Sequence, residues 1–141
     1  MRGYWNQVEA NNTAFTPDGY FKTGDVGVFD EKGYLKIVDR MKDMIIVSGF
    51  NVYPNEIEAV VSGIPGVLEC ACIGVSDEKT GEAVSLFVVK DKGTVLTRDD
   101  VVGHCRKELT GYKIPKFVTF VDGLPKSTVG KILRRSLRKT T

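Results

Sequence analysis

Apolar residues fall into short runs separated by polar, glycine-containing breaks, and the period within each run changes along the chain. Residues 26–29 (Val-Gly-Val-Phe) and 34–38 (Tyr-Leu-Lys-Ile-Val) flank Asp30-Glu-Lys-Gly33. That break has the length and the glycine of a β-hairpin loop. Residues 44–48 (Met-Ile-Ile-Val-Ser) have the β-branched content of a buried strand. Ile57, Val60, Val61 and Ile64 then recur at helical spacing. Pro54 suits the first turn of that helix, Glu56 its positive end, and Gly63 its stop. Residues 67–75 and 83–90 predict neighbouring strands joined by a polar loop, 76–82. Thr97 with Asp100 three residues on forms an N-terminal capping pattern. Val101, Val102, Cys105 and Leu109 give the helix that follows an apolar face. Residues 117–121 predict a last strand, and Ile132, Leu133 and Leu137 on a Lys/Arg-rich background predict a short terminal helix.

From residue 44 onward the order is β-α-β-β-α-β, the split βαβ pattern, which lays two helices against one face of a mostly antiparallel sheet. The expected class is α+β: a small split domain with a preceding β-hairpin and a short C-terminal helix. Residues 1–19 show no sustained period and predict an irregular lead-in. The polar stretch 39–43 separates the hairpin from the rest and places a domain boundary there.

Composition narrows the function classes. With 141 residues, 42% hydrophobic and 27% charged, the chain suits one ordinary domain with a short appendage. A net charge of +2 is too small to imply a nucleic-acid or membrane surface, and no apolar run approaches the roughly 18 to 20 residues of a membrane helix. The polar stretch 2–12 lacks the apolar centre of a signal peptide, so a cytoplasmic location is expected. Cys70 and Cys72, two apart in an apolar run, are taken to lie on opposite faces of a strand, and Cys70, Cys72 and Cys105 are expected to be buried thiols. With His104 the single histidine, a zinc site or a Ser/His/Asp triad has little to draw on.

Three segments carry candidate chemistry. Residues 124–132 (Leu-Pro-Lys-Ser-Thr-Val-Gly-Lys-Ile) invite comparison with a phosphate-binding P-loop. However, Gly123 and Gly130 have the wrong spacing, and Ile132 stands where Ser or Thr is required. What remains is a flexible loop able to bring Lys126 or Lys131 to an anion. In Tyr20-Phe-Lys-Thr-Gly-Asp25 a carboxylate after glycine suits either a ligand's hydroxyl pair or a simple turn. In Ser48-Gly-Phe-Asn-Val-Tyr-Pro54, Gly49 either admits another chain close to the backbone or bends the strand.

Taken together and in order, these segments strongly resemble the adenylate-forming superfamily of acyl-CoA synthetases, luciferases and peptide-synthetase adenylation domains. Gly3-Tyr-Trp and residues 30–40 (Asp-Glu-Lys-Gly-Tyr-Leu-Lys-Ile-Val-Asp-Arg) contribute to the likeness, which covers nearly the whole chain. Residues 50–58 (Phe-Asn-Val-Tyr-Pro-Asn-Glu-Ile-Glu) and 109–116 (Leu-Thr-Gly-Tyr-Lys-Ile-Pro-Lys) look most like bacterial long-chain fatty-acid–CoA ligases.

The resemblance implies a lid domain of an ATP-dependent ligase that activates a fatty acid as its acyl-adenylate and transfers the acyl group to coenzyme A. It implies ATP/AMP, CoA and Mg2+, the last held mainly by a large N-terminal domain. Asp25 would hold the ribose hydroxyls, Arg40 would lie near the same nucleotide, and Lys42 would be the hinge. Lys131 would be the catalytic lysine of adenylation. Gly49 would line the CoA tunnel, with Arg106 near the nucleotide end of CoA and Tyr112 and Lys113 as further candidates. Asn51 departs from a related acetate-activating enzyme, which carries arginine there. No metal ligand is expected on this chain. Residues 1–41 would be the tail of the large domain plus the hinge, partly disordered or repacked here, and 42–141 the lid. The phosphate loop, magnesium-binding glutamate and acyl pocket would precede residue 1, leaving the chain inactive alone. The full enzyme's partners would be fatty acid, ATP, CoA and its own N-terminal domain, with room for a peripheral membrane contact.

Two rival classes remain. One is a ligand-sensing or protein-interaction module, marked by stoichiometric binding without nucleotide. The other is nucleic-acid binding through Lys126, Lys131, Arg134, Arg135, Arg138 and Lys139, marked by steep salt dependence.

Overall fold

The computed structural model describes residues 1–138; Lys139, named above among the basic residues, lies outside them. The chain divides into two compact units, Met1–Lys42 and Asp43–Thr141. Lys42 is the last residue of the first unit.

The lead-in expected to be irregular contains a helix, α1 (Val8–Ala14). It buries no residue, so no apolar period marks it in the sequence. Polar contacts hold it instead. Tyr4 donates its amide to Asn11 Oδ1 at 2.7 Å, and Asn11 Nδ2 donates back to Tyr4 O at 2.9 Å. Edge-to-face contacts of Phe21 with Phe15 and Tyr4 close the segment. The hairpin follows as β1 (Asp25–Phe29) and β2 (Leu35–Arg40), antiparallel, with Asp25 opposite Arg40 and Phe29 opposite Leu35. Asp30 Oδ1 accepts from the amides of Lys32 and Tyr34, which organises the turn.

The second unit contains the expected β-α-β-β-α-β order with one addition. β3 (Ile45–Val47) turns at once into β4 (Phe50–Val52), and the two pair antiparallel. Ser48 and Gly49 occupy the turn with φ of 51° and 83°, the left-handed values that two-residue hairpin turns of the I′ kind need at both central positions. Then come α2 (Pro54–Ser62), with proline in its first turn and Gly63 as its C-cap, and β5 (Val67–Asp77). β6 (Gly81–Lys90), α3 (Arg98–Glu108), β7 (Phe117–Phe120) and the four-residue α4 (Arg134–Leu137) complete the unit. β6 pairs along its length with β5. On its other edge it meets β3 at Val47↔Gly81 and β7, in parallel, from Ser85↔Phe117 to Val88↔Phe120.

Alternation along β5 and β6 sorts the core into two layers. Cys70, Cys72, Val84, Leu86 and Val88 face α2 and α3, meeting Ile57, Val61, Val101 and Cys105. Ala71, Ile73, Phe87 and Val89 face the other way, onto Leu124, Leu137 and Ile132. The sheet is thus covered on both faces, by two helices on one and by the C-terminal segment on the other. Cys70 and Cys72 share a face, contrary to the expectation, because side chains two apart in a strand point the same way. All three cysteines are buried and unbridged. Burial pushes the Cys70 and Cys105 thiols up, which suits inert core positions.

Two local devices set the ends of these elements. At α3, Thr97 Oγ1 accepts from the Asp100 amide at 3.2 Å while Asp100 Oδ2 accepts from the Thr97 amide at 2.9 Å, a reciprocal capping box. At the β5–β6 turn, Asp77 pairs with Lys116 and accepts from Thr80 Oγ1 and from the amides of Lys79 and Thr80. These partners, the Lys116 ammonium foremost, hold the Asp77 carboxyl well below the usual carboxylate range.

Thr97→Ala should lower stability by about 1 kcal/mol, read as an earlier midpoint in urea unfolding at unchanged slope. Asp77→Asn tests the turn through pH. A depressed folded-state pKa contributes stability that is complete above the unfolded value of about 3.9 and is lost as pH falls through the folded value. The variant should therefore be less stable than wild type at pH 6, with the difference shrinking below about pH 4. A difference constant from pH 6 to pH 2 would exclude that role for the carboxylate.

Candidate functional site

In the first unit, Asp25 and Arg40 are opposite one another across the β1–β2 ladder, and Arg40 Nε lies 2.9 Å from Asp25 Oδ1. The ladder brings these two sequence-selected residues together. Gly24 has φ 74°, and its carbonyl accepts from the Met41 amide at 2.8 Å, which ties the Thr23-Gly24 bend to the end of β2. Thr23, Gly24, Arg40, Met41 and Lys42 line an open depression of about 360 Å³. Lys42 sits within a single 3-10 turn, Met41–Asp43, where the chain passes from one unit to the next.

In the second unit the candidates lie toward two ends of the sheet. Gly49 is exposed at the β3–β4 turn, and the Ser48 amide donates to Thr80 O at 2.8 Å, which sets this turn beside the β5–β6 turn. A Cβ on Gly49 would meet nothing within 4 Å. Its requirement for glycine therefore comes from φ within this unit, and the space above it is open. Phe50, the next residue, stacks on Tyr112 with ring centroids 4.6 Å apart and planes 16° apart. Lys113 binds Glu56 at 2.6 Å, and Lys116 binds Asp77. Gly49, Tyr112 and Lys113 are thus grouped. Arg106 is exposed in the last turn of α3, where a cation complements the helix dipole, and it makes no ion pair among the described residues.

Lys131 belongs to a different structure. The segment expected to be a flexible loop is a small closed hairpin. Lys126 bridges Ile132, Ser127 N donates to Lys131 O at 2.8 Å, and Leu133 N donates to Pro125 O at 2.8 Å. Gly130 makes the tight bend at φ 79°. The Lys131 amide also donates to Ser127 Oγ at 3.2 Å, so its backbone is fixed, while its side chain is exposed and its ammonium has no ion-pair partner among the described residues. Lys126 pairs with Glu69, eight residues along β5 from Asp77. At 3.3 to 3.4 Å per residue that is about 27 Å of strand, so the Lys131 hairpin and the Gly49 turn are served by opposite ends of the sheet.

Sequence reasoning missed the Phe50–Tyr112 stack and the pairing of Arg134 with Glu58 at 2.7 Å. The partners are far apart in the chain, and no local pattern announces either contact. Among the described residues no group of three or more His, Cys, Asp or Glu side chains could hold a metal ion. No helix among them is long and apolar enough to cross a membrane.

Residues 56–131 match the family model described as the AMP-binding enzyme C-terminal domain. A long-chain-fatty-acid–CoA ligase of Escherichia coli O157:H7 is 58% identical over 138 residues, covering 98% of this chain and 24% of that protein. The ligase FadD13 of Mycobacterium tuberculosis H37Rv is 48% identical over 139 residues, 99% of this chain and 27% of its own length. Among solved structures, ATP-bound MatB from Rhodopseudomonas palustris superposes with a TM-score of 0.93 at 45% identity, covering 99% of this chain and 28% of that one. The chain thus spans about a quarter of the length of these relatives. On the match of its own fold and sequence, it belongs to the AMP-binding enzyme C-terminal domain family.

Proposed function

We propose that this chain serves as the moving lid of an AMP-forming fatty-acid–CoA ligase and acts only together with a large N-terminal domain. In the first half-reaction a fatty-acid carboxylate oxygen attacks the α-phosphorus of ATP and pyrophosphate leaves. Lys131, carried on its closed hairpin, donates to the carboxylate and nucleotide oxygens where negative charge accumulates. Asp25, with Arg40 bound to one oxygen, retains the other for the ribose hydroxyls. In the second half-reaction the CoA sulfur attacks the acyl carbonyl and AMP leaves. Gly49 then faces the site and leaves room for the thiol-bearing arm, with Tyr112, Lys113 and Arg106 as candidates for the remainder of CoA.

The observation that supports this reading is that Lys131 and Gly49 sit on two separate turns, the Lys131 hairpin tied to β5 at Glu69 and the Gly49 turn set beside the β5–β6 turn at Thr80, with Glu69 and Asp77 roughly 27 Å of strand apart. One rigid unit cannot present both ends to one reaction centre at once, so the two half-reactions require it to turn, and Lys42 stands at the boundary where that turn is available. Magnesium would be held by the large domain. The nucleic-acid reading is weakened because Lys126, Arg134 and Arg138 are engaged in intramolecular ion pairs.

The test is to graft the full chain in place of the matching quarter of the E. coli ligase and measure both half-reactions. The chimera should form acyl-CoA. Lys131→Ala should slow fatty-acid-dependent pyrophosphate release by at least about a hundredfold, while thioester formation from preformed acyl-adenylate persists. Gly49→Ala should do the reverse, slowing thioester formation and sparing adenylation, besides costing about 1 kcal/mol of stability through its positive φ. A folded, inactive chimera, or a fully active Lys131→Ala variant, would sink the lid reading.

A further inference from the structure

At the free edge of β5 a set of side chains from distant parts of the second unit converges. Glu58, on α2, accepts the Cys72 amide at Oε1, 2.8 Å away, and so caps a strand edge that pairs with no further strand among the described residues. Arg134 grips the same carboxylate with both arms of its fork, Nε to Oε1 at 3.2 Å and Nη2 to Oε2 at 2.7 Å. Nη2 also donates to Asn55 Oδ1 at 2.8 Å. Its Nη1 approaches Asp43 Oδ2 at 3.8 Å, and Arg138 Nη2 lies 3.6 Å from Asp43 Oδ1. The side chains of Arg134, Glu58 and Asp43 are only 20%, 16% and 14% exposed, so solvent screens this cluster far less than an ordinary surface pair.

We propose that Arg134 is a positioning residue for Lys131, its fork on Glu58 fixing the direction in which the Lys131 hairpin leaves the sheet. The proposal rests on the lid reading above. Arg134 is three residues beyond Lys131, within about 11 Å even for fully extended chain. The hairpin's entry is anchored by buried Leu124 and by the Lys126–Glu69 pair. That pair is more open to solvent than the Arg134 cluster, with an exposed lysine and a half-buried glutamate, and constrains less. At the exit, Ile132 and Leu137 pack into the core layer, an apolar contact that tolerates sliding and rotation. The bidentate fork between them does not, because two parallel hydrogen bonds fix a plane as well as a distance. Glu58 is itself fixed by the Cys72 amide, so the hairpin is registered directly to the backbone of β5. A lysine in place of Arg134 keeps the charge and loses the plane.

A residue that merely kept the unit folded would affect both half-reactions alike. A residue that aims Lys131 affects adenylation alone, since the Gly49 turn is at the other end of the sheet. The experiment uses the same chimera with Arg134→Lys, Glu58→Gln and the two combined. Adenylation is followed by fatty-acid-dependent pyrophosphate release and thioester formation by CoA turnover of preformed acyl-adenylate. Each single variant should lower kcat of adenylation roughly tenfold to a hundredfold, with KM for ATP and the thioester half-reaction little changed. The double variant should be no worse than the more impaired single one, because both break one contact. Equal losses in the two half-reactions, or losses that multiply in the double variant, overturn the proposal. Lys131→Ala, measured in parallel, separates the failures. If it leaves adenylation intact, the lid reading itself falls; if it abolishes adenylation while Arg134→Lys does not, only the positioning role falls.

Discussion

Strand β6 is the constraint from which the rest of the second unit follows. From Ala83 to Val89 every residue is buried, and the strand is hydrogen-bonded to β5 on one edge and to β3 and β7 on the other. A strand enclosed in this way cannot alternate apolar and polar positions, and each face needs its own cover. The helices α2 and α3 supply one cover. The other is the C-terminal segment through Leu124, Ile132 and Leu137, so the hairpin bearing Lys131 lies between two anchors of the core and is no appendage. The geometry of a surface lysine thereby becomes a matter of interior packing.

The same strand explains what the sequence made legible. Continuous apolar runs at 67–75 and 83–90 announced the two central strands, and the 3.6-residue period announced α2 and α3, because each of these elements buries a face. The capping box at Thr97 and Asp100 is a contact between near neighbours and was readable for that reason. Where burial is absent the signal vanishes: α1 buries nothing, and β4 is three residues long with only Val52 buried. The positive φ of Ser48 is not written in a residue type that demands it, so a two-residue turn looked like one bent strand. The pairing of Glu58 with Arg134 joins residues 76 apart, and nothing local in either segment requires the other. The candidate site was legible through the order of its motifs, whereas the meeting of Asp25 with Arg40 became visible only in the register of β1 and β2.

Charge placement separates the two ends of the unit as clearly as distance does. Most of the cations near the candidate site are neutralised in place: Lys113 by Glu56, Lys116 by Asp77, Lys126 by Glu69 and Arg134 by Glu58. These pairs tie loops to helices and strands. Lys131 is held by its backbone instead, and its ammonium makes no ion pair among the described residues. For the role proposed for Lys131, the hydrogen-bonded hairpin fixes the backbone from which the ammonium extends without neutralising it beforehand.

The three thiols have a consequence of their own. Cys70 and Cys72 on β5 and Cys105 on α3 lie in the layer between the sheet and its helices, which must separate before any reagent can reach sulfur. Their rate of alkylation is therefore an internal clock for the opening of this layer. Because none of them belongs to the candidate site, that clock would register how firmly the unit is held shut without any label placed where substrates come and go.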